Sequence, residues 1–359
     1  MTGGAAQDAA ERLRAQAIEK TREMTRVPLM GASGTRLLDL SRENPDKVNL
    51  SEVDGLISHD PALASRVLQV ANSTYYSMRQ EVTTVRQGIM TIGLHDLMSL
   101  VVVTSLMDRF KTASPLKNLD PVQFWMHSVA VGGAAKVGAG YCACSFLAPG
   151  EVSVAALLHD IGKGLFIRFF AEEYDTVIAS AAENGRPLEE VEAETFGISH
   201  DELGGMLAAR WKLPEFIGQI ATHHHRPQDA ERTYYDAVAL VSWANSFVKR
   251  EGIGNSGNAY YPPAEESAAF APSENGSAKR PVGEALEPRR GEIVKAIAGS
   301  LGSMADTINP TGETQEEIED KDKAREEAAR ARAEREDAVA RPSQEKRGLF
   351  SRLVDFFRI

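Results

Sequence analysis

Apolar residues recur at helical spacing along most of the chain from Gly34 to Arg250. Ahead of that stretch, Asp8 to Thr25 predicts a charge-rich helix with a thin apolar edge of Leu13, Ala17 and Ile18, which Pro28 ends. Leu37, Leu38 and Leu40 form one apolar group, and Asn44-Pro45-Asp46 a turn. Ser51, with Asp54 three residues on, gives a capping-box-like start to a helix carrying Val53, Leu56 and Ile57. Asp60 is a good N-cap and Pro61 suits the first helical position, with Leu63, Val67, Leu68, Val70 and Ala71 as the buried face. Asn72 to Ser77 breaks that helix. Val85, Ile89 and Ile92 predict a helix ending near Gly93, and Leu97 to Met107 a more fully buried one.

Pro115 and Pro121 mark a boundary. Beyond it, Phe124 to Val137 carries Ala130, Gly132, Gly133 and Ala134, small residues suited to close helix packing. Helices then follow over Ser153 to Ile167, Glu172 to Asn184, Pro187 to Phe196, His200 to Trp211, Phe216 to His224 and Tyr235 to Arg250. No stretch makes a convincing strand. The fold class read from the pattern is all-α.

The remainder divides by composition. Residues 251–281 are rich in Gly, Asn, Ser, Pro and Ala and read as a flexible loop. In 282–310 the stripe Ile293, Ile297, Leu301, Met304, Ile308 predicts a helix packing back on the core. Residues 311–345 are a mixed-charge tether without heptads. Residues 346–359 place Leu349, Phe350, Leu353, Val354 and Phe357 on one face, ringed by Lys346, Arg347, Arg352 and Arg358. That is a basic amphipathic helix fit to dock on a protein partner or a membrane surface.

Composition narrows the function. The net charge of −11 and the absence of a basic face argue against nucleic acid as partner. The two cysteines, Cys142 and Cys144, are spaced to point apart on a helix, which fits a reducing cytoplasm. The first residues show no secretory signal pattern, and no apolar run reaches the ~18 residues of a membrane span. The expected location is cytoplasmic, with residues 346–359 docking either on a membrane surface or on a protein.

The candidate chemistry lies in Ala155-Ala-Leu-Leu-His-Asp-Ile-Gly-Lys163. An imidazole and a carboxylate side by side, His159 and Asp160, can converge on one atom beside the helix. Together they suit a borderline or hard divalent cation such as Fe, Mn or Zn. Lys163, one turn on, is placed to meet phosphate. Of the eight histidines, six fall at helix positions after residue 120: His127, His159, His200, His223, His224 and His225. Spread over consecutive helices of a bundle, they can close a one- or two-metal site, or form a hydrogen-bonded polar seam.

These segments carry a resemblance. Phe124-Trp-Met-His127-Ser, Leu157-Leu-His159-Asp160-Ile-Gly-Lys163, Ile198-Ser-His200-Asp-Glu-Leu-Gly204 and Ile220-Ala-Thr-His223-His224 together resemble the HD phosphohydrolase superfamily. Upstream, Leu56-Ile-Ser-His-Asp60-Pro61-Ala-Leu, Leu68-Gln-Val-Ala-Asn72-Ser73-Thr-Tyr-Tyr76 and Gly88-Ile-Met-Thr-Ile-Gly93-Leu are similar to the HDOD family, the HD-related output domains of bacterial signalling. The likeness spans residues 27–250 and implies a multi-helix HD-like bundle. It implies His127, His159 and Asp160 as ligands of a first metal, His200, His223 and His224 as ligands of a second, and Lys163 facing a phosphate. The superfamily's later metal-binding Asp falls here on Asn245, in Trp243-Ala244-Asn245, which keeps an amide oxygen but no charge. No Gly-Tyr-Pro motif of the cyclic-di-GMP phosphodiesterases follows, and His225 stands where that branch has Glu. The family implies a regulatory protein, non-catalytic and acting on signalling proteins. The retained ligands imply the alternative, a metal-dependent phosphohydrolase or phosphodiesterase with a degenerate site.

Overall fold

The computed structural model describes residues 2–26, 32–41, 48–72, 76, 78, 80–107, 109–110, 116–141, 147–261 and 282–308. Among these every regular element is helical, as the periodicity predicts. The tether 311–345 and the amphipathic segment 346–359 lie outside them.

The first helix, α1 (Thr2–Met24), is followed by α2 (Ala32–Ser41), α3 (Leu50–Ser58), α4 (Pro61–Ala71), α5 (Val85–Ile92) and α6 (Leu94–Met107). Helices α2 to α6 pack on one another around Leu37, Leu40, Ile57, Val67, Ile89 and Leu97. Local chemistry sets their ends. Asn49, rather than Ser51, caps α3 by accepting from Ser51 N–H at 2.9 Å, so that helix starts ahead of the expected cap. Asp60 accepts from Leu63 N–H at 3.1 Å at the start of α4, and Thr84 and Gln87 form a reciprocal capping box on α5. Asn72 ends α4 by pairing its amide with both backbone groups of Val82, at 2.7 and 2.8 Å.

The second group is built on α7 (Pro121–Ala139), capped by Asp120 with Pro121 at its first position. Its small residues let α8 (Pro149–Leu157) lie close on one side, where Ser153 Oγ donates to Gly132 O at 3.0 Å. Then come α9 (Lys163–Phe169), α10 (Ala171–Glu183), α11 (Leu188–Phe196), α12 (His200–Arg210), α13 (Glu215–His223) and α14 (Tyr235–Arg250). Helix α1 packs against α9, α11 and α12, and α14 against α7. A short α15 (Val282–Leu286) leads to α16 (Arg290–Ile308), which buries Ile293, Ile297 and Met304 and lies against α7, α4 and α6. Residues 282–308 sit on the core and join both groups of helices. No single helix among the described residues is long and apolar enough to cross a membrane.

Two expectations need correction. The helix expected over Ser153 to Ile167 is two helices, broken at residues 158–162. There His159, Ile161 and Lys163 N–H groups bond three residues back, to Ala156, Leu158 and Asp160, tightening the chain into turns. The break is held by close packing: a Cβ on Gly162 would lie 1.9 Å from the His200 carbonyl oxygen, so only glycine lets this turn abut the start of α12. The second is the loop. Its described part, 251–261, is not free but pinned across the bundle. Asn255 N–H donates to Gln123 O at 3.0 Å, and Gly254 (φ +66°) lies so close to α7 that a Cβ would sit 2.3 Å from His127 N. Residues 262–281 lie outside the described part.

Candidate metal centre

Each part of the site comes from a different element. His127 projects from α7, and His159 and Asp160 from the tight turn after α8. His200 opens α12. His224 and His225 follow the last turn of α13, and Asn245 is on α14. His127, His159, Asp160, His200, His224 and Asn245 are all at most 4% exposed.

The imidazole tautomers are set by their neighbours. His159 Nδ1 lies 2.7 Å from the Ala156 carbonyl oxygen and His224 Nδ1 3.0 Å from that of Ala221. A carbonyl can only accept, so both Nδ1 atoms carry hydrogen and donate. His200 Nδ1 donates to Glu192 Oε2 at 2.6 Å, and the His200 backbone N–H donates to the same oxygen at 2.7 Å. Glu192 is fully buried, and its other oxygen accepts from Tyr174 Oη at 2.8 Å. The Nε2 atoms of His159, His200 and His224 are therefore left as lone pairs in the neutral rings.

Those lone pairs face an acid. Asp160 Oδ2 lies 3.3 Å from His159 Nε2, and Asp160 Oδ1 lies 3.2 and 3.4 Å from His200 and His224 Nε2. His225 Nε2 lies 3.0 Å from His200 Nε2. Asp160 Oδ1 and the Nε2 atoms of His127, His159 and His224 make no well-directed hydrogen bond, nor does Asn245 Oδ1. Electron pairs aimed at one another in a buried space need a cation between them. Two ligand groups result, and Asp160 belongs to both: His127, His159 and Asp160, and Asp160, His200, His224 and His225.

Titration follows the same logic. Burial alone would raise the Asp160 carboxyl, but His159 and Lys163 outweigh it and hold it well below the usual range. Burial likewise disfavours a charged His200, yet the Glu192 carboxylate behind it pushes it up to about 10. In the metal-free chain a proton on His200 thus serves where a metal ion would. Burial pushes His127 well below its ordinary value, so it stays neutral.

Among the residues the sequence pointed to, His127, His159, Asp160, His200 and His224 come together. His223 does not. The buried face of α13 is Phe216, Ile217, Ile220 and Ala221. At ~100° per residue, His224 falls near the middle of that face and His223 about 90° round from it. His225 takes the place expected of His223. Lys163 also departs from its expected role. Its Nζ donates to Asp160 Oδ2 at 2.7 Å and to Ser256 O at 3.0 Å, both buried, so it braces the acid instead of facing a ligand. Asn245 lines a cavity of about 240 Å³ that also reaches His224 and His225.

Sequence reasoning missed Glu192, Glu189 and Lys249. Glu192 shares the buried face of α11 with Leu188, Val191 and Phe196, and a glutamate in an apolar stripe was a readable signal. Glu189 Oε1 lies 3.5 Å from His225 Nδ1 and lines the cavity. Beneath the site Phe166 stacks between Tyr174 and Phe196, with centroids 5.0 and 4.4 Å away, and fixes the tyrosine that holds Glu192.

Comparison with known proteins bears on the family and the fold. The HDOD domain family matches residues 28–227, more than half of the chain. The chain belongs to the HDOD family. A crystal structure of an HDOD domain protein of unknown function from Geobacter sulfurreducens is 25% identical, with a TM-score of 0.63 over 80% of this chain and 98% of that one. A candidate signal transduction protein from Marinobacter aquaeolei VT8 shares the fold at 16% identity, with a TM-score of 0.67 over 84% of this chain and 66% of that one. So does a candidate phosphohydrolase from Shewanella amazonensis SB2B, at 20% identity and a TM-score of 0.55, over 82% and 98% of the two chains. An uncharacterized protein of Treponema pallidum (strain Nichols) is 25% identical over 221 residues, which cover 60% of this chain but only 41% of that protein.

Proposed function

We propose that this HDOD protein is a bacterial signalling regulator whose domain holds a divalent metal ion and, through it, a phosphate-bearing ligand. The observation that carries this reading is the convergence of the His159, His200 and His224 Nε2 atoms on Asp160, with His225 Nε2 3.0 Å from that of His200. The donor set of imidazoles with one carboxylate suits Zn, Fe or Mn. When bound, such an ion polarises a phosphoryl oxygen. The protein's own residues do the rest: Lys163 fixes Asp160, Glu192 orients His200, and the loop at 251–261 holds Lys163 through the Ser256 carbonyl.

Two features favour binding over turnover. Lys163, the cation of the His-Asp motif, is spent inside the fold, and the ligand at Asn245 carries no charge. The second reading, a metal-dependent phosphohydrolase, is favoured by the cavity that opens onto His224 and His225. Metal analysis of the purified full chain, with a phosphodiester assay after metal loading, separates the two. The regulator reading predicts stoichiometric metal, lost in His200→Ala, and no turnover. Turnover by the loaded chain selects the hydrolase, and failure to take up metal at all removes both. In the cytoplasm, the basic amphipathic segment 346–359 would then bring the domain to a signalling protein or a membrane surface. Pull-downs with and without those residues test that step: equal capture by both chains counts against it.

A further inference from the structure

Helix α14 is apolar over most of its surface, with Val238, Leu240, Val241, Trp243, Ala244, Phe247 and Val248 all buried. One stripe breaks the pattern. Ser242, Asn245, Ser246 and Lys249 follow one another at i, i+3, i+4 and i+7, and all line the cavity beside His224 and His225. A polar stripe with a cation at its end, turned into a protein interior, needs a polar occupant.

We infer that this stripe is an anion subsite: Lys249, with Ser242, Ser246 and Gln228, receives the phosphate group of a small ligand whose other oxygens face the metal cluster. The inference deepens the reading above and rests on it for the class of ligand. Lys249 and Lys163 differ in what they have left to give. Lys163 is committed to Asp160 and Ser256. Lys249 donates once, to the Tyr260 carbonyl at 3.1 Å, and among the described residues no carboxylate lies within ion-pair reach of it. Burial and the nearby Lys163 lower it to about 8, the mark of an ammonium short of a counter-charge. Glu189, the acid in the lining, is already engaged by two other lining residues, Asn258 at 3.2 Å and His225 at 3.5 Å. Ser246 and Ser242 add hydroxyl donors about one and two turns before Lys249. At about 240 Å³ the cavity falls below the ~300–1,000 Å³ typical of drug-sized ligands, so it takes a single phosphorylated head rather than a dinucleotide.

The test is calorimetric titration of the manganese-loaded full chain with inorganic phosphate, with metal content measured alongside. Lys249→Met should keep its metal and bind phosphate about tenfold or more weaker, the loss expected for one charge-assisted contact. Lys249→Arg should retain most of the affinity. Gln228→Glu, at an exposed position on the rim, should weaken phosphate binding by charge alone and covers the case of Lys249→Met misfolding. If Lys249→Met, or failing it Gln228→Glu, binds phosphate within about twofold of wild type, the subsite is refuted while the metal reading stands. If the wild type holds no metal yet binds phosphate in a Lys249-dependent way, the metal reading fails and the subsite stands. No phosphate binding by the wild type, with or without metal, overturns the subsite.

Discussion

The two ligand groups that share Asp160 differ in what stands behind their imidazoles. In the group of His127 and His159, the ring of His159 leans on a backbone carbonyl, a neutral dipole. In the group of His200, His224 and His225, His200 leans on the buried carboxylate of Glu192, and His225 lies beside that of Glu189. A carboxylate behind an imidazole makes it a stronger ligand and fixes its orientation. The second group is thus the better built, and an ion should settle there first. It is also the group onto which the cavity opens.

The comparison can be broken at its shared member first. Asp160→Ala should abolish metal uptake by both groups and leave Lys163 buried without its partner, which costs about 3–5 kcal/mol. Chemical denaturation and metal analysis measure the two losses, and a fully stable variant would contradict the role given to the Lys163 pair. Next, His200→Ala should reduce metal affinity far more than His127→Ala. Equal losses would mean that the carboxylates behind the second group do not matter. Glu192→Gln should weaken metal binding by about 10–100-fold without removing any ligand, as loss of such a supporting group does elsewhere. A competition titration with a chelating dye reads that difference.

The pH dependence sharpens the contrast. In the metal-free chain His200 stands at about 10, above its unfolded value, so its proton stabilises the fold fully below about pH 6.5. That contribution is lost as pH rises through 10. Metal displaces the same proton, so affinity should increase with pH and binding near pH 7 should release a proton into the buffer. Calorimetry in buffers of different ionisation heat checks this, and an uptake independent of buffer would speak against it. The smallest effect is expected of His223→Ala, within about twofold of wild type in metal affinity, because that ring sits off the buried face of α13.

Much of the fold was readable because buried helix faces leave a period in the sequence. The break between α8 and α9 was not, because Leu157, Leu158, Ile161 and Leu165 keep the chain apolar through the turn that carries His159 and Asp160. The histidine cluster was visible as a set of residue types but misread by one position at His223. The stripe Phe216, Ile217, Ile220, Ala221 pointed to His224, but the place of His225 depends on the helix ending at His223. Glu192 was readable in the same way, as a charge on the otherwise apolar face of α11, and Lys249 as the charged end of the polar stripe on α14. The loop at 251–261 was beyond reach. It has no apolar period, and its place depends on Gly254 meeting α7 and on polar bonds to Gln123, Lys163 and Glu189, distant in sequence.

X-ray absorption at the metal edge of the zinc-loaded full chain addresses the site most directly. Three imidazoles and a carboxylate oxygen should surround the ion, one imidazole should vanish in His225→Ala, and the spectrum of His223→Ala should match wild type. A shell without imidazoles, or one that loses a ring in His223→Ala and keeps it in His225→Ala, would contradict the assignment of Asp160, His200, His224 and His225 as the metal's ligands.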